Sequence, residues 1–352
     1  MITNLTLKNF RRFKELSLDF NSNLVVLYGN NAQGKSSILE AICVISNGKS
    51  PWAQTEDMLN NMQDKDNKHL RIEMTRDDKN KYVFFKDNNR IEHQINGKKT
   101  IPRKFFEENS ATIFNPEKIE ILMISPSERR TFLDDIIGRT DYEYYNILRD
   151  FKKVLKQRNS YLKKLSKLFY ENGTVARNDT VLSVWTSKFI DLSSQITERR
   201  KNMCEKLSNK NFKIRYISDI KDFSQITDEL TKEIENNKKK DIATGYTNTG
   251  AHREDWNIHD MQDVKKFGSR GQKRLAIGKL IFRIQEVFAK DNGFYPTLLL
   301  DDISSELDNT NINEIFNTDL LSKQQTFITV INPKVLPKYI TGKAQLIDLS
   351  AF

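Results

Sequence analysis

Residues 24–37 read LVVLYGNNAQGKSS. A short apolar run, LVVL, breaks at Gly29, and the chain reopens on Gly34, Lys35 and Ser36, which is the G-x-x-x-x-G-K-[ST] pattern of a phosphate-binding loop. Glycine is needed because successive backbone N–H groups must curl round a phosphate oxygen, and only residues without Cβ approach that closely. Asn30, Asn31, Ala32 and Gln33 would complete the loop, with Ser37 behind it. Lys35 would reach the β- and γ-phosphates of a nucleotide, and the Ser36 hydroxyl would help coordinate a magnesium ion. The next run, SSILEAICVI, reads as the helix whose N-terminus holds the anion. A β-rich apolar run before the loop and an amphipathic segment after it supply the context the motif requires.

The chain of 352 residues is long enough for one large or two ordinary domains. Charged residues make up 30% and the mean hydropathy is −0.63, which suggests solvated parts beside a packed head. No run approaches the roughly 18 apolar residues of a membrane span, and MITNLTLKNFRRF lacks the apolar core of a signal peptide, so a cytosolic protein without a membrane partner is expected. Cys43 and Cys204 lie far apart and read as reduced, structural residues. The net charge of +10 is uneven: residues 146–215 hold seventeen Lys or Arg against six Asp or Glu, leaving the remainder near neutral.

Alternating apolar positions in residues 2–20, about the turn-like RRFKE, predict two strands before the phosphate loop. LRIEMT, KYVFFK and RIEHQI, ended by Asn96-Gly97, predict an antiparallel meander. Ser125-Pro126-Ser127-Glu128 predicts a helix start with a capping box. From Leu148 two series of apolar residues at steps of three and four, broken at Arg158 and Arg199, flank the turn-rich ENGTVARND. They predict an antiparallel helical hairpin, reaching roughly 30 Å as a protruding arm; two ordinary amphipathic helices on a core would carry the same pattern. Near residue 245 the composition turns back toward glycine and apolar residues, so the head is expected to resume there.

Residues 298–301, LLLD, have the Walker B form of a buried strand ending in a carboxylate. Asp301 would hold magnesium, and Asp302 stands where a general base could orient the attacking water. Between the two motifs lies FGSRGQ, residues 267–272, followed by a helical run. Ser269 would be its N-cap, and with Gly271 and Gln272 it would make a second anion site, although a capped helix needs no ligand. The position about thirty residues before LLLDD, with SSELD after it, matches the signature of an ABC-type ATPase.

Six segments in order, NFRRF, GNNAQGKSSILEAI, SPSERRTFLDD from Ser125, GAHREDW from Gly250, SRGQKR from Ser269 and LLLDDISSELD from Leu298, resemble the RecF family, bacterial DNA-repair ATPases of the SMC-like ABC group. The resemblance implies an α/β fold: an ABC-type P-loop ATPase head with mixed sheets, split by an inserted α-helical arm built as a short antiparallel coiled-coil hairpin. The expected boundaries are residues 1–124 and 245–352 for the head and 125–244 for the arm. The family implies ATP and Mg2+ as cofactors and DNA, at junctions or gaps, as a partner. It also implies an ATP-dependent homodimer, in which Ser269 and Gly271 close over the γ-phosphate of the other subunit and residues 304–308 cross the interface. RecR and RecO are implied as protein partners by the family alone.

Three departures stand out. Asp302 is one methylene shorter than the expected glutamate, which suggests slow turnover. No histidine follows His259, and Thr329 lies in the neighbourhood of the missing switch histidine. Ala251 and Glu254 stand where proline and aspartate are expected. Arg129, Arg130, His252 and Arg253 read equally as functional contacts or as structural ion pairs. A structural tether with only secondary DNA binding is the competing reading of the basic arm, and a small-molecule kinase would leave SRGQ and SSELD unexplained.

Overall fold

The computed structural model describes residues 1–52, 69–87, 89–107, 109–115, 120–122, 124–172, 179–260, 262–302 and 320–351. Packing divides the chain into two compact units, Met1–Glu120 with Arg270–Phe352, and Ile121–Ser269.

In the first unit, β1 (Ile2–Phe10) and β2 (Phe13–Asp19) form the expected hairpin, in register from Asn4↔Asp19 to Phe10↔Phe13. The phosphate-loop strand β3 (Leu24–Tyr28) and helix α1 (Lys35–Asn47) follow. The meander is β4 (His69–Arg76), β5 (Lys81–Asp87), β6 (Ile91–Ile95) and β7 (Lys98–Thr100), giving an antiparallel sheet in the order β2-β1-β4-β5-β6-β7. Asn96 and Gly97 both have positive φ, 51° and 77°, the two left-handed residues that a tight hairpin turn requires. Helix α2 (Pro102–Glu107) then leads to β8 (Ala111–Phe114).

The second unit begins at α3 (Pro126–Thr140), where Ser125 accepts from the Glu128 N–H and Glu128 accepts in return from the Ser125 N–H, the predicted capping box. Helices α4 (Tyr142–Asn172) and α5 (Thr180–Leu207) run antiparallel. Tyr161 meets Asp179, Arg158 meets Thr186, and Arg199 meets Asp141, so one helix descends as the other rises. After β9 (Phe212–Ile217), helix α6 (Ile226–Thr244) packs on this pair. Both breaks in the apolar series have a physical reason. Arg158 is 1% exposed and donates to Asp241 of α6 at 3.0 Å and to Thr247, so a third helix meets the hairpin there. Arg199 lies at the other end, paired with Asp141 and Glu143.

Strand β10 (Asp255–Asp260) pairs with β9 and with β11 (Gln262–Asp263), and the short α7 (Val264–Phe267) closes the unit. Residues 245–269, where composition suggested a return to the head, pack with the helices. Contacts from three arginines, Arg129 and Arg200 buried and Arg130 half-buried, explain this. Arg129 grips Asp255 through two nitrogens, at 2.8 and 2.5 Å; Arg200 grips Asp134, at 2.8 and 2.9 Å, and donates to the Ala251 carbonyl; Arg130 donates to the Glu254 carbonyl. Glu254 is buried and accepts from Thr197, Ser218 and Tyr216, and burial pushes its pKa up despite these donors. Arg129 is therefore a structural ion-pair residue, whereas the Arg253 side chain is exposed. Cys204 is buried here, its thiol pushed up to about 12 by desolvation, and Cys43 is buried in the first unit.

The chain returns through α8 (Arg270–Asn292), β12 (Thr297–Leu300), α9 (Leu320–Lys323), β13 (Thr326–Val330), α10 (Lys338–Thr341) and β14 (Gln345–Asp348). These strands join β3 and β8 in a parallel sheet of order β14-β3-β13-β12-β8. Helix α1 is buried continuously from Ile38 to Ser46 and shares one apolar cluster with both sheets, so it is covered on every side where the sequence suggested an amphipathic segment, and Glu40 within it is paired with Arg11. Among the described residues no helix is long and apolar enough to cross a membrane.

His252 packs near Phe151 and Phe189 and donates Nε2–H to the Thr247 carbonyl at 2.9 Å. Burial pushes its pKa down to about 4. A histidine held below its unfolded value near 6.5 stabilises the fold fully above that pH, and the contribution is lost as pH falls toward 4. Between pH 7.5 and 5.0 this site should remove about 2 kcal/mol of unfolding free energy. Urea titrations should show that part of the slope missing in His252→Gln; identical slopes in the two proteins would contradict the assignment.

Candidate nucleotide site

The loop leaves β3 through residues whose backbone is left-handed: Gly29 (φ 141°), Ala32 (64°) and Gly34 (91°). A Cβ on Gly34 would lie 2.4 Å from the Phe13 ring, so both conformation and space demand glycine. Asn30 and Asn31 are exposed and Gln33 is half-buried. Lys35 folds over the loop and donates to the carbonyls of Gly29 at 2.6 Å and Asn30 at 2.8 Å. Ser36 and Ser37 occupy the first turn of α1.

Three strand and helix ends meet at the carboxyl edge of the parallel sheet. Asp301, just past β12, is 6% exposed. Its Oδ1 accepts from Ser36 Oγ at 3.0 Å and from Thr329 Oγ1 at 2.6 Å. Thr329 in turn accepts from the Asp302 N–H at 2.8 Å. Strand β13 lies between β3 and β12, so its Thr329 bridges the loop and the LLLDD strand. Asp302 has φ 44°, a left-handed conformation uncommon for a residue with a side chain, and this N–H bond helps hold it. Burial pushes the Asp301 pKa up, against the two hydroxyl donors that pull it down. Burial also lowers the Lys35 pKa, opposed by the nearby Asp302 and Asp301 carboxylates.

The structure therefore brings Lys35, Ser36, Asp301 and Asp302 together. A hydroxyl and a carboxylate oxygen, side by side, form a hard donor pair of the kind magnesium uses when substrate phosphates and water complete its shell, so the residues fit that ion. Ser269 stands immediately before α8, with Gly271 and Gln272 in its first turn; Ser269 and Gln272 are exposed. Residues 304–308 lie outside the described residues.

Sequence reading missed the support around the loop. Arg12 donates to the Ala32 carbonyl, and Phe13 fills the space that a side chain at Gly34 would need. Arg11 pairs through two nitrogens with Glu40 of α1, 3% exposed, at 2.7 and 2.6 Å. The signal was present in NFRRF, but nothing local says that these side chains turn toward residues 20 to 30 positions away.

Thr329→Val would strip one donor from the buried Asp301 and leave the Asp302 N–H without its acceptor. Urea unfolding should show a loss of about 1–3 kcal/mol, with most of it restored in Thr329→Ser. Unchanged stability of the valine variant would remove Thr329 from the support of the site.

The family model of the RecF/RecN/SMC N-terminal domain matches residues 1–341. The chain is 34% identical over 360 residues to the DNA replication and repair protein RecF of Clostridium kluyveri, covering 97% of this chain and 96% of that protein. It is 32% identical over 349 residues to RecF of Clostridium acetobutylicum, covering 96% and 95%. Among solved structures, the recombination mediator protein RecF-ATP of the RecFOR pathway superposes with a TM-score of 0.78 at 28% identity, covering 94% of this chain and 92% of that one. An Smc head bound to the C-winged helix domain of ScpA shares the fold at a TM-score of 0.52 and 17% identity, covering 99% and 94%. With the phosphate loop, the carboxylate pair and the helix-initiating SRGQ in place, the chain belongs to the RecF family of SMC-like, ABC-type ATPases.

Proposed function

We propose that this protein is an ATP-binding DNA-repair protein that dimerises on ATP, grips gapped or junction DNA and releases it on slow hydrolysis, assisting recombinase loading. The observation that carries the reading is the joint placement of Ser36, Asp301, Thr329 and Asp302 beside the loop bearing Lys35. The N–H groups of residues 29–37 would cradle the phosphates, and Lys35 would exchange its loop carbonyls for phosphate oxygens. Ser36 and Asp301 would hold Mg2+, whose charge offsets that of the phosphates. Asp302 would orient the attacking water, and its short side chain suits slow turnover. Ser269, Gly271 and Gln272 would complete the site of a second copy, so that bound nucleotide joins two subunits.

The basic stretch supplies the DNA reading. Lys163, Lys164 and Lys167 are exposed on α4, as phosphate contacts must be. Such contacts give salt-dependent binding without sequence preference. RecR and RecO enter as proposed partners through the family.

Light scattering after size exclusion should give the 41.2 kDa monomer mass without nucleotide and about twice that with ATP and magnesium. Lys35→Met and Ser269→Arg should both stay monomeric, the second while still binding ATP. Monomeric wild type with ATP bound would refute nucleotide-driven dimerisation. Replacing Lys163, Lys164 and Lys167 by alanine should weaken binding to gapped duplex and flatten its salt dependence by about 0.9 in log–log slope per lost contact. A folded triple variant with unchanged affinity would favour a tether whose arm recruits proteins.

A further inference from the structure

The helical hairpin of the second unit packs through Leu162 and Leu165 of α4 and Leu182 of α5, with Tyr161 and Ile242 against them. The next turn of α4 leaves that contact. Phe169 is 38% exposed and Tyr170 73% exposed, and Tyr246, just past the end of α6, is 48% exposed. Single apolar side chains on a surface need no explanation, but these rings share one place. Tyr170 Oη donates to the Ala243 carbonyl at 3.4 Å, Ser166 Oγ donates to the same carbonyl at 3.1 Å, and the Lys163 ammonium stands 4.7 Å from the centre of the Tyr246 ring. A Cβ on Gly245 would lie 3.4 Å from the Lys163 Cα, so the end of α6 runs directly against this part of α4. Lys163, Lys167 and Tyr170 are spaced by four and three and form one stripe of the helix. Tyr246 beside Lys163 and Tyr170 at the far end therefore bound a strip about 10 Å long, measured along α4. Phe169 meets the Tyr170 ring edge to face, with centroids 5.6 Å apart.

The setting of the rings is cationic. Lys163, Lys164 and Lys167 are exposed on adjacent turns of α4, and Lys239 and Lys240 are exposed on α6, four and three positions before Ala243. Glu171 approaches Lys167 at 3.7 Å with both side chains exposed, which makes a weak pair. Protein interfaces are enriched in aromatic rings but depleted in lysine, so a protein partner would account for the rings and leave the cations unexplained. A single-stranded nucleic acid accounts for both, with phosphates for the ammonium groups and base faces for the rings. In a duplex each base face is covered by the neighbouring pair, so the rings can serve unpaired nucleotides alone. The Lys163 ammonium holds the Tyr246 ring by a cation–π contact while about half of the residue stays open to solvent.

We propose that Tyr170 and Tyr246, with Phe169 backing Tyr170, form a stacking platform for unpaired nucleotides whose phosphates lie on Lys163, Lys164 and Lys167. The platform rests on the DNA reading above and adds which part of gapped DNA this face takes: the single strand rather than the duplex. Stacking uses the ring face, which every base can meet, so no sequence preference follows from it.

The test uses the full chain with labelled oligothymidylate, a strand of the same length built from abasic nucleotides, and blunt duplex, read by fluorescence anisotropy. Wild type should hold oligothymidylate about tenfold tighter than the abasic strand. Replacing Tyr170 and Tyr246 by alanine should remove that difference and leave the abasic strand and the duplex bound as before, which also reports an intact fold. Replacing both by phenylalanine should keep the difference. Replacing Lys163, Lys164 and Lys167 by alanine should weaken binding to all three DNAs, which reads the phosphate contacts separately from the rings. Wild type that binds none of the three would overturn both readings. Equal binding of the two single strands by wild type, or oligothymidylate held by the double alanine variant as tightly as by wild type, would overturn the platform alone and leave the rings to a protein partner.

Discussion

The carboxylate of Asp301 is the constraint on which the nucleotide site depends. A buried carboxylate must be surrounded by donors, and here they come from two elements that are not neighbours in sequence: Ser36 at the start of α1 and Thr329 on β13. Thr329 uses the dual character of its hydroxyl, giving its proton to Asp301 and taking that of the Asp302 N–H. This ties the conformation of Asp302, held at positive φ, to the placement of Asp301. A histidine at this position could contact either group, but the small hydroxyl does so within the edge of the sheet. The loop, the LLLDD strand and the strand between them thus form one mechanical unit.

The second unit is organised by buried charge. Arg129, Arg158 and Arg200 are each 3% exposed or less, and each faces a carboxylate from another element. Desolvating such pairs is costly, and removing one partner costs more than the pair is worth, because it leaves a buried charge. These pairs consequently select one arrangement of helices and strands over others that apolar contacts alone would permit. Arg158–Asp241 sets where α6 crosses the hairpin, and Arg200–Asp134 with Glu254 anchors the segment leading into β10.

Much of this was legible from local pattern. The phosphate loop, the capping box at Ser125, the Asn96-Gly97 turn and the paired helices each depend on residues a few positions apart, where spacing carries the physics. What escaped depends on distant partners. Arg158 looked like a flaw in an apolar series because Asp241 lies 83 positions away. Residues 245–269 carry a composition suited to the head, and only the arginines waiting in the helical unit decide where they pack. Thr329 could be placed near a strand end, but its bridging role follows from β13 inserting between β3 and β12, an order that no periodicity encodes.

The two edges of the parallel sheet show how differently one strand set can treat its polar groups. At the carboxyl edge Asp301, Thr329 and Ser36 satisfy one another, so these three side chains are held in place before any ligand arrives. At the amino edge Gln325 accepts from the Ile2 N–H and donates to the Ile2 carbonyl, so there the polar side chain joins the start of β1 in one sheet to the entry of β13 in the other instead of preparing a site.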